Sequence, residues 1–419
     1  MWTHVLTAFL ALSPVAQERV LVITGAHILD AQGEHWLDDR AVLVRGEKIE
    51  GVAPLASLRV PSDALRVDAT GAWLVPGLID LHTHLLLHPY DERAWNDQVL
   101  KESLELRTIR AVVQARATLE AGFTTVRELG TEGAGFADVA LRDAIAEGLV
   151  PGPRIFAATR AIVATHCYAP AGFDPRWDVP CGAEEATGVA EVRRAVRAQV
   201  AAGADWIKVY ADYRRAPGEP ATPSFSKEEL EALVDEARSA KKPVAAHAST
   251  DEGVRRAVLA GVNTIEHGYA ASRATLELMQ ERGVVLCPTL AANEASARYA
   301  GWKDGAPPAS VLRARELVRT AHEAGVTIAC GSDAGVFAHG TNARELELLA
   351  AAGLAPTEAL RAATMTAARV LGHEGELGRI DAGFVADLVA LAADPLADPA
   401  ALRSIRFVVQ RGRVVVDRR

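Results

Sequence analysis

Two histidines one residue apart end an apolar run, LVPGLIDLHTHLLLHP, over residues 74–89. Because side chains on a β-strand alternate between its two faces, His82 and His84 project from the same face. Neutral imidazole is a common metal ligand, so the pair can begin a metal site. Two satisfied core histidines explain the pair equally well, and the rest of the chain has to decide between these interpretations.

Four further residues with ligand or proton-transfer chemistry follow other apolar, strand-like runs. They are Lys208 in DWIKVYAD, His247 in PVAAHAST, His267 in NTIEHGYA and Asp333 in IACGSDAG. The intervals between these positions leave room for whole strand–helix units. A separate local reason for each residue is the alternative, but six such side chains at matching strand ends favour one shared site.

The elements that must position these residues alternate between apolar strands and amphipathic helices. The predicted strands are Leu78–Leu81, Thr124–Glu128, Arg154–Ala158, Trp206–Tyr210, Val244–His247, Thr264–His267, Val284–Pro288 and Thr327–Gly331. A helical period separates them, as in KESLELRTIRAVVQARATLEAG and in SKEELEALVDEARSA, where Ser226 and Glu229 form a capping-box signature. The alternation predicts an α/β fold, a (β/α)8 TIM barrel, with its site at the carboxyl ends of the strands. An open doubly wound sheet is disfavoured because no glycine-rich phosphate loop follows the first strand.

The two ends of the chain have a different sequence pattern. Short alternating runs separated by turn residues fill residues 18–72 and 383–419, which predicts one small β-sandwich domain built from both termini. The barrel is then expected over residues 73–382. Residues 1–17 resemble a signal peptide, although no lysine or arginine precedes the apolar stretch and Pro14 lies near the expected cleavage site. A periplasmic or secreted location and a cytoplasmic one therefore both stay open.

The composition and net charge of the chain limit the kinds of binding partner that it can have. Hydrophobic residues make up 49% of the 419 residues and charged residues 24%, so a large core can form. A net charge of −9 without a lysine- or arginine-rich block argues against nucleic acid and anionic membranes as partners. Among four scattered cysteines, Cys287 and Cys330 are expected to pack in strands, whereas Cys167 and Cys181 flank one loop and could pair in an exported protein.

The ordered motifs PGLIDLHTH, KVY, AAHA, TIEHG and GSDAG resemble those of the amidohydrolase superfamily of metal-dependent hydrolases. The resemblance covers essentially the whole chain and implies a binuclear centre. The ligand set that it implies is His82, His84 and Asp333 for the first metal, His247 and His267 for the second, and Lys208 bridging both.

Lysine needs a modification to bridge two metals, because a neutral amine has a single lone pair. The resemblance implies N6-carboxylation of Lys208, which gives a carbamate with two oxygens. Imidazole and carboxylate ligands suit borderline divalent ions, so we expect two zinc ions. The centre would keep a net positive charge, which favours a bridging hydroxide near neutral pH. This hydroxide would attack an amide carbonyl, and Asp333 would pass its proton to the leaving amine.

Loops at the same strand ends supply candidate substrate contacts. His166, in IVATHCYAPAGF, can donate a hydrogen bond to a substrate carbonyl or carboxylate, or is an ordinary polar loop residue. Tyr168 belongs to the same loop. Tyr210 follows the lysine of the fourth strand by two residues, so it is expected to point into the site, for substrate contact or for packing. Arg214 and Arg215 can pair with a free substrate carboxylate. The alternative, which is the commoner outcome for arginine, is that both are solvated.

The segments KVYADYR, THCYAPAGF, RWDVPCGAEEA and HGTNARELELL resemble one branch of the superfamily. That branch contains Xaa-Pro dipeptidase-like carboxypeptidases and the amidohydrolases that cleave ochratoxin A. It implies a small-molecule amide substrate with a free carboxylate, such as a dipeptide or an N-acyl amino acid, and a homo-oligomer, in some relatives an octamer. Two alternatives are a mononuclear deaminase or imidazolonepropionase-like cyclic-amide hydrolase, which would lack the bridging lysine, and an inactive scaffold, which would lack ligands.

Overall fold

The computed structural model of this chain describes residues 19–174, 176–216, 218–303 and 305–419. The predicted signal peptide, residues 1–17, lies outside the described residues. The strands are β1 (Val20–Thr24), β2 (His27–Leu29), β3 (Trp36–Leu37), β4 (Ala41–Arg45), β5 (Lys48–Ala53), β6 (Leu65–Asp68), β7 (Trp73–Pro76), β8 (Leu78–Thr83), β9 (Phe123–Glu128), β10 (Arg154–Ala157), β11 (Ile162–Ala164), β12 (Glu184–Ala186), β13 (Ile207–Tyr210), β14 (Asp212–Arg214), β15 (Ala221–Pro223), β16 (Val244–Ala248), β17 (Thr264–His267), β18 (Val285–Cys287), β19 (Leu388–Leu391), β20 (Ile405–Gln410) and β21 (Arg413–Asp417).

Helices lie mainly between the strands of the central region, so the fold is mixed α/β. They are α1 (Trp95–Lys101), α2 (Leu104–Glu120), α3 (Ala137–Ala146), α4 (Gly188–Ala201), α5 (Lys227–Ser239), α6 (Asp251–Ala260), α7 (Arg273–Arg282), α8 (Leu290–Tyr299), α9 (Ala309–Glu323), α10 (Arg344–Ala351), α11 (Pro356–Ala362) and α12 (Met365–Val370). In the described part of the chain, none of them combines the length and apolar character that crossing a lipid bilayer requires.

Both ends of the chain contribute to one hydrophobic core. The strands β5, β4, β1 and β6 form one sheet in that order, and β21, β20, β19, β7, β2 and β3 form another. Within the second sheet, β7 pairs antiparallel with β19, so that Val75 lies opposite Val389. Buried side chains from both termini, among them Ile23, Val42 and Phe407, belong to a single apolar cluster.

Parallel strands carry the middle of the chain. The strands β8, β9 and β10 form one parallel sheet, and β12, β11, β13, β16, β17 and β18 form a second. Hydrogen bonds link these sheets, since Trp206 N donates to Ala157 O at 3.2 Å and Leu81 N donates to Cys330 O at 2.9 Å. Because neighbouring strands run parallel, their carboxyl ends lie along one edge. The predicted site residues lie in the strands that lead to this edge or just after them.

The predicted strand at residues 327–331 is wrong as a regular strand. Only isolated bridges occur there and just beyond, joining Ile328 to Leu286 and Ala334 to Thr83. A Cβ at Gly331 would lie 2.9 Å from the Cβ of His82, so the chain passes its neighbour too closely for a side chain, and the ladder is irregular. The other predicted strands are found, each end within two residues of its predicted position.

The capping box that Ser226 and Glu229 predict is present at the start of α5, with both reciprocal hydrogen bonds formed. The helix predicted from residue 101 begins later, at Leu104, because the Ser103 side chain accepts a hydrogen bond from Leu106 N and caps α2 there.

The cysteines are free thiols, so the pairing of Cys167 with Cys181 is not formed. Cys181 Sγ instead donates to Tyr168 O at 2.8 Å, and burial raises the pKa of this thiol to about 11. Cys287 and Cys330 are fully buried in the apolar interior, as the sequence predicted.

Candidate metal centre

Three of the predicted ligands converge at the carboxyl end of β8. One ligand atom from each of His82, His84 and Asp333 lies within 4.8 Å of the other two. Asp333 Oδ1 is 3.3 Å from His84 Nε2 and 3.6 Å from His82 Nε2. All three side chains are buried. Two imidazole nitrogens and a carboxylate oxygen at these separations fit a borderline divalent ion such as zinc.

The other predicted ligands, Lys208, His247 and His267, come from β13, β16 and β17. The His267 ring centroid is 5.3 Å from that of His82 and 4.5 Å from that of His247, so the imidazoles form one continuous cluster. Lys208 is buried, makes no hydrogen bond to any described residue, and has its Nζ 5.5 Å from the Tyr210 ring centroid. An amine that no protein group engages can take up a modification or a ligand.

Burial keeps most of the cluster neutral. It lowers the pKa of His82 and His247 well below the usual value and that of His267 to about 4, and it also lowers the pKa of Lys208. Neutral imidazole is the form that binds metal. Burial lowers the pKa of His84 as well, but the hydrogen bond and charge of its carboxylate neighbour outweigh this and raise it to about 9. A cation bound there would displace that proton.

Hydrogen bonds behind the rings determine which imidazole nitrogen faces the cluster. His82 Nδ1 lies 2.9 Å from Oε2 of Glu266, whose Oε1 accepts from Arg127 Nη2 at 2.9 Å. His84 Nδ1 donates to Gly130 O at 2.8 Å. With Nδ1 engaged in both rings, each leaves Nε2 for a metal ion.

The ring of His267 depends on a threonine hydroxyl. His267 Nδ1 is 2.7 Å from Thr289 Oγ1, which gives its own proton to Pro288 O. Thr289→Val keeps the β-branched shape but removes the acceptor, so we expect zinc affinity to fall about 10–100-fold. Competition with a chromogenic chelator measures this. Thr320→Val, which removes a hydroxyl on α9, is the control and should bind zinc as the wild type does; equal affinity in the two variants would contradict the assignment.

A buried carboxylate, Asp80, joins the two segments that carry the first ligand group. Its Oδ1 accepts from His82 N at 3.0 Å and Ser332 N at 2.9 Å, and its Oδ2 accepts from Asn342 Nδ2 at 2.8 Å. Burial raises the pKa of Asp80, although these hydrogen bonds oppose the shift. The network fixes the loop bearing Asp333 relative to β8.

Several residues around the cluster have left-handed backbone conformations that are unfavourable for side chains with a Cβ. Their φ angles are 75° at His267, 62° at Asp333, 62° at His166, 51° at Thr289 and 51° at Glu132. Such strained positions concentrate at functional sites, where surrounding structure over-determines them.

Two of the predicted substrate contacts lie beside the cluster. Tyr210 stacks on His247 with ring centroids 4.5 Å apart and an interplanar angle of 14°, and Tyr168 lies 4.6 Å from Tyr210. Burial raises the pKa of Tyr168 well above its usual value, so the phenol stays protonated. Both hydroxyls donate to the carboxylate of Glu132, a residue that the sequence analysis did not single out.

The remaining predicted contacts are exposed. The ring of His166 makes no hydrogen bond with any described residue. Arg214 lies over the Tyr213 ring, with its Cζ 5.0 Å from the centroid. Arg215 donates to a backbone carbonyl of the β14–β15 hairpin at 3.1 Å. The structure therefore brings the tyrosines to the centre but joins neither arginine, nor the His166 ring, to it by a hydrogen bond among the described residues.

Comparison with known proteins identifies the family of this chain. The amidohydrolase family model matches residues 73–415. Ochratoxinase of Aspergillus niger is 31% identical over 93% of this chain and 84% of its own length. Imidazolonepropionase of Symbiobacterium thermophilum matches at 27% identity over 90% of each chain.

Solved structures extend the similarity to three dimensions. A Xaa-Pro dipeptidase with methionine bound in its active site has a TM-score of 0.86 and 31% identity, covering 94% of this chain and 99% of that one. A prolidase complexed with N-methylphosphonate-L-proline has a TM-score of 0.83 and 34% identity, covering 95% and 100%. The chain therefore belongs to the amidohydrolase family and is a metal-dependent hydrolase of amide bonds.

Proposed function

We propose that this chain is a binuclear amidohydrolase that cleaves the amide bond of aminoacyl or N-acyl amino acids, as in dipeptides and ochratoxin A-type amides. The observation that carries the proposal is the continuous imidazole cluster, in which His267 lies against both His82 and His247. It joins the group around Asp333 to a second pair of histidines. The ochratoxinase and dipeptidase relatives support the substrate class.

The donor set divides between two cation positions. The proposed ligands are His82, His84 and Asp333 for one ion, His247 and His267 for the other, and N6-carboxylated Lys208 for both. Zinc is the expected metal because the donors are imidazole nitrogens and carboxylate oxygens. Two such ions would polarise the scissile carbonyl and lower the pKa of a water molecule at the centre.

Asp333 is the group that moves the proton. Its Oδ1 faces the open Nε2 atoms of His82 and His84, and the Asp80 network holds the loop that carries it. We assign it the proton that the attacking water gives up. It passes this proton to the amide nitrogen as the carbon–nitrogen bond breaks, so the products are a carboxylic acid and an amine.

We keep three exposed residues as candidate substrate contacts. His166 would donate to the substrate carbonyl, and Arg214 or Arg215 would pair with the free carboxylate, because a guanidinium matches a carboxylate in two parallel hydrogen bonds. Their loops follow β11 and β13, at the same edge as the cluster.

The architecture completes the proposal. The hydrogen bonds from Trp206 N and Leu81 N support closure of the parallel strands into a (β/α)8 barrel over residues 73–382. The shared terminal core supports a β-sandwich domain from residues 18–72 and 383–419. Ile109 and Val113, exposed one turn apart on α2, support a homo-oligomer, because a second copy could cover them. Light scattering would give the subunit number and test an octamer.

A mononuclear deaminase or cyclic-amide hydrolase on the same fold is the second candidate, and the imidazolonepropionase match favours it. A buried Lys208 beside the imidazole cluster counts against it, because one metal needs no bridging ligand. An inactive scaffold is disfavoured because each predicted ligand is present in the sequence.

Metal content and turnover test the proposal together. After loading with zinc and removal of the excess, elemental analysis should give about two ions per chain, against about one for a mononuclear enzyme and none for a scaffold. The loaded protein should hydrolyse members of a panel of dipeptides, N-acyl amino acids and ochratoxin A. A chelator should abolish this activity and zinc should restore it. Activity confined to cyclic amides or to deamination would overturn the proposal.

A further inference from the structure

Four aromatic side chains pack together beside the candidate metal centre. They are Trp95, Tyr168, Tyr210 and Tyr213, called here the aromatic cage. The Tyr168 ring centroid lies 4.9 Å from that of Trp95, 4.6 Å from that of Tyr210 and 5.0 Å from that of Tyr213. The face of an aromatic ring carries negative potential, so groups of such rings attract ammonium cations.

A buried carboxylate, Glu132, lies against the aromatic cage. Its Oε2 accepts from the Tyr168 hydroxyl at 2.6 Å and from Trp95 Nε1 at 2.8 Å, and its Oε1 accepts from the Tyr210 hydroxyl at 3.4 Å. The residue is only 2% exposed. Its φ of 51° shows that the loop after β9 accepts backbone strain to place this side chain.

No lysine or arginine side chain donates a hydrogen bond to the Glu132 carboxylate among the described residues. Its ion-pair contact is with His84 Nδ1, 4.0 Å from Oε1, and that nitrogen donates to Gly130 O instead. Arg107 is nearby, but its guanidinium donates to backbone carbonyls, including Glu132 O at 2.7 Å. The three groups that donate to the carboxylate, two phenols and an indole, are neutral, so a charged donor would bind it more strongly. The Glu132 carboxylate is therefore suited to binding a positively charged group of a ligand.

The hydrogen-bond donors and acceptors point to the same kind of partner. A phenol has one proton, and Tyr168 and Tyr210 both give theirs to Glu132. Their oxygens therefore offer only lone pairs to a ligand. Oε1 of Glu132 has one long hydrogen bond, so it can exchange this bond for a stronger charged donor. Such a subsite receives N–H donors and repels a carboxylate.

We propose that Glu132 and the aromatic cage bind a protonated amino group on the acyl side of the substrate. The enzyme then prefers dipeptides with a free amino group over N-acyl amino acids and ochratoxin A-type amides. This inference rests on the proposed amide hydrolysis and narrows its substrate class. The cation is the α-amino group of the acyl residue, or else the amine of a basic side chain.

The position of the subsite favours the α-amino group. Tyr210 stacks on the ring of His247, and Glu132 lies 4.0 Å from His84, so the subsite adjoins both proposed ligand groups. In an aminoacyl group the amino nitrogen is only about 2.5 Å from the carbonyl carbon, given bond lengths near 1.5 Å. An α-ammonium can therefore occupy the subsite while its carbonyl stays at the centre.

A binding experiment that does not depend on turnover tests the subsite. L-Alaninol and isobutanol differ by an ammonium in place of a methyl group, and neither contains an amide bond. Calorimetry with the zinc-loaded protein should show that alaninol binds at least about 10-fold more tightly than isobutanol. Glu132→Gln should remove this difference, and Asp97→Asn, which removes a partly exposed carboxylate two residues from Trp95, should retain it. Equal binding of the two ligands by the wild type, or an unchanged preference in Glu132→Gln, would overturn the inference.

Turnover then identifies the source of the cation and separates this inference from the proposed function. Alanyl-phenylalanine should exceed its isostere isobutyryl-phenylalanine at least about 10-fold in kcat/KM, and Glu132→Gln should equalise them. 6-Aminohexanoyl-phenylalanine carries the amine at the distance of a basic side chain and should behave like the isostere. Hydrolysis of all three at equal rates contradicts the subsite. Alaninol binding that needs Glu132, without hydrolysis of any of the three, supports the subsite and contradicts the proposed substrate class.

Discussion

Replacing Lys208 with alanine is expected to lower kcat/KM by more than about 100-fold and to leave about one bound zinc ion per chain. The side chain is buried beside the imidazole cluster and has no hydrogen-bond partner among the described residues, so its loss removes a proposed ligand rather than a structural contact. Elemental analysis and steady-state kinetics on the same preparation measure both effects.

Chemical rescue sharpens this prediction. Acetate or propionate should restore part of the activity of Lys208→Ala, because a small carboxylate can replace the two oxygens of the carbamate. Lys227→Ala removes an exposed lysine at the start of α5 and should behave as the wild type does. Full activity with two bound ions in Lys208→Ala would exclude the lysine as the bridge.

The second large effect is expected at Asp333. In Asp333→Asn the side chain keeps its size, so the fold should survive, but an amide cannot accept the proton from water. We expect kcat to fall by about 100- to 10,000-fold, the range that general acid–base groups contribute. Circular dichroism checks the fold, and zinc analysis shows whether a ligand was lost as well.

A matched control separates proton transfer from general charge effects. Asp381→Asn changes an exposed aspartate near the proposed domain boundary and should leave kcat unchanged. Zinc retained together with lost turnover would identify the proton role, whereas lost zinc would identify a ligand role. An Asp333→Asn variant with wild-type kcat would show that Asp333 has neither the proton role nor the ligand role.

The metal-site prediction came from the alternation of side chains along each strand and from the order of the strands. Asp80 was within reach of the same argument, because it shares a strand face with His82 and His84 in DLHTH. Glu266 precedes His267 directly, but its neighbour His82 stands 184 positions earlier in the chain, and only tertiary structure reveals that contact. Local sequence patterns contain no such information.

The positions of several other loop side chains could not be predicted from the sequence. Glu132 follows a strand in RELGTEG, a glycine-rich turn that gave a weak signal, yet its contacts come from Trp95 at the start of α1 and from Tyr168 in another loop. The direction in which His166 points depends on a left-handed backbone angle of 62°, which no residue-type preference indicated. The segment at residues 327–331 has a strand's composition, but its close approach to His82, which only the tertiary structure reveals, accompanies irregular pairing.

The left-handed angles at His267, Asp333, Thr289 and Glu132 have a consequence for efforts to make this protein more heat-resistant. Glycine adopts that geometry freely, so exchanges to glycine there would relieve local strain of about 1 kcal/mol or more each. A screen that rewards only a higher melting temperature would thus tend to accept changes at the residues on which turnover depends. Selection for thermal tolerance in this protein should score hydrolysis in the same round.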